Sequence, residues 1–229
     1  MSSNDSTVKT LVVAFSLSIV CAIFVSTAAV MLKPVQEVNK ALDRKRSILA
    51  AAGMLEEGKS VEEQFAQVST RVVDLRTGKF ADDIDAQKYD QRKAAKDPSR
   101  SQKLTAEQDV AKISRREDYS LVYVVEGPTG ELEKIILPIH GYGLWSTLYG
   151  YIALESDANT VAGLGFSEHG ETPWLGGEVD KPRWKAQRPG KRVYQDGAVA
   201  LGLHKGRVDP AGATASRYAA GRGGAHPYA

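Results

Sequence analysis

The pattern of apolar and polar positions divides the chain into three unlike stretches. The first, Thr10 to Leu32, reads TLVVAFSLSIVCAIFVSTAAVML and carries no charge between Lys9 and Lys33. A bilayer core takes about 20 apolar residues in helical form, so this stretch predicts a membrane-spanning helix. It exceeds the apolar core of about 7–15 residues found in a cleaved signal peptide, and Ser26-Thr27-Ala28 imitates a cleavage site only weakly. An uncleaved anchor over 10–32, behind a short tail over 1–9, is therefore the expectation.

The second stretch begins at Pro34. Val35, Val38, Ala41, Leu42 and Leu49 recur at roughly helical spacing, with Gly53 as the stop. Ser60 and Glu63 have capping-box spacing ahead of Phe65, Val68 and Val72, which predicts a short second helix. From Arg76 to Glu117 charges of both signs crowd together and large apolar residues are scarce. That pattern predicts a solvated excursion with one or two surface helices, and the whole of 33–119 reads as a helical and charged connecting region.

Beyond Ser120 the period changes to that of strands. LVYVVEG and ELEKIILPI flank Gly127-Pro128-Thr129-Gly130, and TLYGYIALES and TVAGLGFSEH flank Asp157-Ala158-Asn159. KRVYQ and AVALGLHK flank Asp196-Gly197, a strong hairpin signal. The fold class that follows is α+β: one transmembrane helix, then an antiparallel-sheet-rich domain over 120–216 with flanking helices.

Composition narrows the function. With Lys+Arg 30 against Asp+Glu 28, the chain builds no strong positive field, which argues against nucleic acid as a partner. The single cysteine, Cys21, lies inside the apolar span and excludes an internal disulfide framework or a Cys-rich metal site. Five cations after the span (Lys33, Lys40, Arg44, Lys45 and Arg46) favour a cytoplasmic C-terminal part. Glu37 and Asp43 are interspersed, and large domains translocate regardless of flanking charge, so charge alone leaves the side open.

Three glycine-rich stretches are candidates for chemistry. In HGYGLWSTLYG, His140 to Gly150, glycines let backbone approach a ligand and Trp145 offers a flat apolar face. The spacing is not that of a dinucleotide fingerprint. In EHGETPWLGGEVD, Glu168 to Asp180, Thr172 and the backbone at Leu175-Gly176-Gly177 can hydrogen-bond the polar edge of a heterocycle. Glu168, His169 and Glu171 suggest a metal only faintly, because no second histidine lies near and no helix aligns them; His169 reads as a loop residue. In DPAGATAS, Asp209 to Ser216, small residues leave the Thr214 hydroxyl accessible, though so short a motif arises easily by chance.

Taken in order, these stretches resemble the C-subunit family of the Na⁺-translocating NADH:quinone oxidoreductases. GLWSTLYGYIALESDANTVAGLGFSEHGETP and LGGEVDKPRWKAQRPGK carry the resemblance most specifically. The related G subunit of the Rnf electron-transport complex shares the ETP-x-LG element. The resemblance implies a single-pass protein of the bacterial inner membrane with a periplasmic flavin domain. It relays electrons through FMN from NADH toward ubiquinone while the complex exports Na⁺, and it is not catalytic alone. The implied partners are the complex's other subunits (A, B, D, E and F) and a dedicated flavin transferase, which joins the FMN phosphate to a threonine. By position, Leu144, Trp145, Ser146 and Thr147 line the flavin, with Glu171, Thr172, Leu175 and Gly176 opposite. Lys205 matches the family lysine, and Asp209, Gly212, Ala213 and Thr214 match the acceptor motif.

Two departures from the family stand out. Trp174 occupies a position where the family usually has glycine. The acceptor-like segment also follows Lys205 almost at once, and the tail over 217–229 has a composition that fits a shifted reading frame. Thr214 as acceptor, Thr214 as a look-alike, a flavin-free structural subunit and an Rnf-type subunit therefore stay open on the sequence.

Overall fold

The computed structural model describes residues 6–205 and 218–221. Helix α1, Thr7–Ala51, opens the chain and runs for 45 residues without a break at Pro34. A proline inside a helix removes one backbone bond and crowds the preceding turn, and the long regular turns on both sides carry the helix through it. By compactness the chain divides between Asp43 and Arg44. The first unit is the helix itself: it is long and apolar enough to cross a membrane, and its large apolar side chains from Val8 to Leu32 are exposed.

The second unit starts with the last turns of α1, where Ile48, Leu49 and Ala51 are buried. The helix stops as its sequence suggests. Gly53 takes φ 68°, its N–H donates to Ala50 O, and the Met54 N–H reaches back to Leu49 O. These two bonds satisfy carbonyls that a helix end leaves without partners, and the left-handed residue that makes them possible is a glycine.

Helix α2, Val61–Phe65, is capped by Ser60, whose hydroxyl accepts from the Glu63 N–H at 3.2 Å. It is shorter than expected. Val68 and Val72, whose spacing suits its continuation, lie instead in strand β1, Val68–Asp74. Positions four apart share a face in a helix and in a strand alike, so their spacing fits both; the β-branched residues of VSTRVVD and seven paired positions on a neighbouring strand decide for the strand. The charged excursion then supplies strand β2 (Lys79–Phe80), helix α3 (Gln91–Lys96), and strands β3 (Ser101–Lys103) and β4 (Arg115–Glu117), the last two paired antiparallel. It is solvated on one side only, since Tyr89 and Ala94 are buried.

Strands β5 (Tyr119–Glu126), β6 (Leu132–Tyr142), β7 (Thr147–Glu155) and β8 (Val161–Glu168) follow as the alternating pattern predicts. With β1 and β2 they make one antiparallel sheet in the order β2-β1-β5-β6-β7-β8. One face is covered by the end of α1 and by α3. There Ile48, Leu49, Tyr123, Ile136 and Ala153 form the main core, and a large apolar side chain contributes about 1.5–3 kcal/mol when fully buried. The other face carries a smaller cluster around Ile152, Leu154 and Val161, with Val193 and Leu201 packed on it.

A 3-10 helix (Gly176–Asp180) and helix α4 (Pro182–Lys185) follow the sheet. Strands β9 (Tyr194–Gln195) and β10 (Ala198–Val199) form the expected hairpin, with Asp196 at φ 52° and Gly197 at φ 77° in its two-residue turn. Strand β11 (Gly202–Lys205) pairs in parallel with β12 (Tyr218–Gly221), so part of the atypical tail joins the structure as a strand.

Candidate functional site

Two loops at one end of the sheet converge on a single carboxylate. The turn joining β6 to β7 holds Gly143, Leu144, Trp145 and Ser146, and is closed by the Gly143 N–H donating to Ser146 O at 2.8 Å. The segment after β8 brings Glu171, only 8% exposed, against that turn. Its Oε1 accepts from the Trp145 N–H at 3.0 Å and the Ser146 N–H at 3.2 Å. Bonds from amides to an ionised oxygen are about twice as strong as neutral ones, so one side chain fixes two consecutive peptide units. The Gly170 N–H donates to Ser146 Oγ at 2.6 Å and completes the junction.

The close approach depends on glycine. A side chain at Gly143 would strike Leu148 and the Glu171 carboxylate, and one at Gly176 would lie 2.6 Å from Glu171 Oε2. Gly143 and Gly170 were not among the expected site residues; the Gly-x-Gly at 141–143 and the Gly-Glu pair at 170–171 were the available signals. Beyond Gly170, the Leu175 and Gly177 amides both donate to Thr172 O, at 3.2 and 3.1 Å, which curls 172–177 into a tight turn.

The site's carboxylate points inward while its large apolar side chains face solvent. Leu144 is 50% exposed, Trp145 65%, Trp174 81% and Leu175 62%. Trp174 sits at φ 68°, a region costly for any residue with a Cβ, and the Lys181 ammonium lies 4.3 Å from its ring centroid. The left-handed backbone gives a physical reason for glycine at this position.

The expected site residues separate into three groups. Leu144, Trp145, Ser146, Glu171, Thr172, Leu175 and Gly176 lie on the two joined loops, with Thr147 opening β7. Lys205 closes β11. Asp209, Gly212, Ala213 and Thr214 lie outside the described residues. The three residues that faintly suggest a metal are engaged separately: Glu168 with Arg92 at 2.7 Å, Glu171 with the two amides, and His169 Nε2 with Asp180 Oδ2 at 2.5 Å.

A cleft of about 660 Å³ lies on the α3 side of the sheet, over Tyr123, Tyr149 and Tyr151. Burial pushes the hydroxyl pKa values of Tyr123 and Tyr151 up, keeping both protonated. Arg92 lies 3.7 Å from the Tyr149 ring centroid at its edge. Of the expected site residues that are described, Thr147 alone lines this cleft, so it is a separate feature from the two-loop junction.

FMN combines a flat apolar ring system, a polar ring edge and a phosphate. The exposed apolar side chains of the two loops, held over a buried carboxylate and a glycine-backed junction, fit the ring part of such a group. The class of the domain follows from the fold and its family model: an antiparallel-sheet domain behind a helix long and apolar enough to cross a membrane, with the FMN-binding domain family model matching residues 143–219. The particular family is equally plain. The C subunit of the Na(+)-translocating NADH-quinone reductase of Pseudomonas aeruginosa is 51% identical over 230 residues, covering 98% of this chain and 88% of that protein. Its counterpart from Vibrio anguillarum is 53% identical over 196 residues, covering 85% and 76%. The crystal structure of Shewanella oneidensis NqrC superposes with TM-score 0.75 at 34% identity, covering 83% of this chain and 87% of that one. This chain belongs to the NqrC family, the C subunits of the Na(+)-translocating NADH-quinone reductases. That membership favours the quinone-reductase expectation over the Rnf-type and flavin-free alternatives.

Proposed function

We propose that this chain is the membrane-anchored, flavin-carrying subunit of a Na⁺-translocating NADH:quinone reductase, with FMN seated between the 143–147 and 171–176 loops. The observation that carries the reading is the junction itself. Two loops inside the segment matched by the FMN-binding family expose four large apolar side chains around one buried carboxylate, whose Oε1 accepts from two backbone amides. When bound, FMN supplies the electron-accepting and electron-donating chemistry, and the chain supplies its position and surroundings.

Each named residue has a definable part. Glu171 locks the Trp145 and Ser146 peptides, so Leu144 and Trp145 present their faces without reorganising when a ring arrives. Leu175 and Trp174 present apolar surface from the other loop and exclude water from the ring faces. Ser146 and Thr172 are polar groups at the rim, suited to the ring's polar edge, while Gly176 keeps the floor thin. Lys205, at the end of β11 and just ahead of the acceptor-like segment, supplies positive charge for the phosphate.

The same reading makes Thr214 the covalent acceptor through a phosphoester formed by a flavin transferase, with Asp209, Gly212 and Ala213 shaping its approach. The compact unit that begins at Arg44, and so takes in most of the 33–119 region together with 120–216, lies on the periplasmic side of the inner membrane, anchored by 10–32. It passes electrons between the other subunits (A, B, D, E and F) toward ubiquinone. The family resemblance supports this side against the local count of cations, since large domains translocate regardless of flanking charge.

The test is in-gel flavin fluorescence after denaturing electrophoresis, with the chain expressed beside an active flavin transferase. A fluorescent band near 24.8 kDa that disappears in Thr214→Ala is the expected result. A band that persists moves the attachment elsewhere and keeps the carrier. No band, with the transferase active on another substrate, overturns the covalent carrier.

A further inference from the structure

The loop after β8 contains a contact that neither the flavin nor the sheet explains. The Glu171 N–H donates to His169 Nδ1 at 3.3 Å, and His169 Nε2 lies 2.5 Å from Asp180 Oδ2. A ring nitrogen that accepts an amide proton carries none of its own, so the proton of the imidazole sits on Nε2 and is donated to Asp180. Asp180 ends the 3-10 helix and is itself held by Lys185 at 3.5 Å. The adjacent Glu168 is drawn the other way, to Arg92 on α3, at 2.7 Å. His169 is thus oriented by Asp180 and points one acceptor at the backbone of the residue whose side chain clamps the opposite loop.

We propose that His169, with its tautomer fixed by Asp180, is the positioning residue of the Glu171 clamp. The amide bond sets the backbone of Glu171, and the backbone sets where its carboxylate meets the Trp145 and Ser146 amides. The clamp is an internal property of the chain. Its consequence for FMN rests on the function proposed above.

The two amide isosteres of histidine separate this role from general packing. Asparagine places a side-chain oxygen near the position of Nδ1 and reaches no farther. Glutamine reaches the position of Nε2 and leaves nothing where Nδ1 stood. Amide hydrogen exchange of the full-length chain in detergent micelles reads the result at Trp145 and Ser146, with β5 amides as the control for global folding. His169→Gln is expected to speed exchange at these two amides by about tenfold, the scale of one lost hydrogen bond, while His169→Asn stays within about twofold of the parent. If His169→Gln also loses protection in β5, Asp180→Ala takes its place, with an expected acceleration of about threefold confined to the loops. Equal exchange in the Asn and Gln variants, or unchanged exchange at Trp145 and Ser146 in every variant that keeps β5 protected, overturns the proposal.

Flavin fluorescence of the same samples reports the consequence separately. Flavin loss that tracks loop exchange extends the positioning role to the cofactor. Absence of flavin from the parent protein, with the exchange pattern intact, overturns the flavin reading and leaves the positioning role standing.

Discussion

The sheet and the two loops at its end handle the same kinds of side chain in opposite ways. In the sheet Ile136 and Ala153 are fully buried, and Glu126 and Glu155 sit where strands meet solvent. In the loops the carboxylate of Glu171 is buried, while Trp145 and Trp174 face water. The sheet is stabilised by removing apolar surface from water, which is non-directional and tolerates shape change gradually. The loops are held by a few directed bonds to one buried oxygen, an arrangement that fails abruptly when a partner is lost. The inversion separates the part of the molecule built for stability from the loops to which the proposed function assigns the flavin.

The strongest way to break the comparison is to attack the sheet. Ile136→Ala removes a fully buried side chain from the main core and is expected to cost about 2–5 kcal/mol of unfolding free energy, read by chemical denaturation. A loss under about 1 kcal/mol would mean that the core is not organised around that strand.

Glu171→Ala is the matching cut in the loops. It leaves the Trp145 and Ser146 N–H groups without their acceptor, for an expected cost of about 1–3 kcal/mol in local stability. Flavin content per chain should fall far more steeply than the denaturation midpoint. A parallel fall in both would place Glu171 among the structural residues.

Trp174→Gly sharpens the contrast from the other side. Removing the Cβ relieves a left-handed residue at φ 68°, for an expected gain of up to about 1 kcal/mol, partly offset by the greater freedom of glycine in the unfolded chain. If the indole covers the flavin, the same variant brightens flavin emission. A drop in melting temperature would show that the Lys181 contact outweighs the strain.

The smallest effect belongs to the β7–β8 turn. Asp157 accepts from the Asn159 and Thr160 N–H groups at 2.9 and 2.7 Å and from the Thr160 hydroxyl at 2.6 Å. The Thr160 bonds, first from its hydroxyl and then from its amide, lower the Asp157 pKa to about 2. A depressed carboxylate stabilises the fold above its unfolded value of 3.8 and loses that contribution as pH falls through the folded one. The stability difference between the parent and Asp157→Ala should therefore shrink between about pH 4 and pH 2, followed by urea unfolding across that range. A difference that stays constant there would show that the hydrogen bonds do not depend on the charge.

Much of this was legible from the order of residues. The anchor, the Ser60 cap, the Gly53 stop and the three hairpins each rest on contacts within a few positions, where periodicity and turn chemistry act directly. The helical expectation for Val68 and Val72 failed because a spacing of four satisfies both a helix and a strand. The partner that decides between them, β5, lies about fifty residues away. His169 is hidden for a related reason: a lone histidine in a loop carries no signal until its neighbours at Asp180 and Glu171 are known in space.

By itself, then, the sequence determined where the chain crosses from apolar helix to charged excursion to alternating strands, and which family pattern those stretches follow. Tertiary structure alone decided that β1 joins the sheet, that Glu171 reaches 26 residues back to hold Trp145, and that Trp174 stands in a left-handed conformation beside Lys181. The division has a physical cause. Periodicity records which face of an element must leave water, a requirement each segment carries locally. The pairing of a buried carboxylate with two distant amides depends on where the folded chain brings its loops together, and no single segment contains that information.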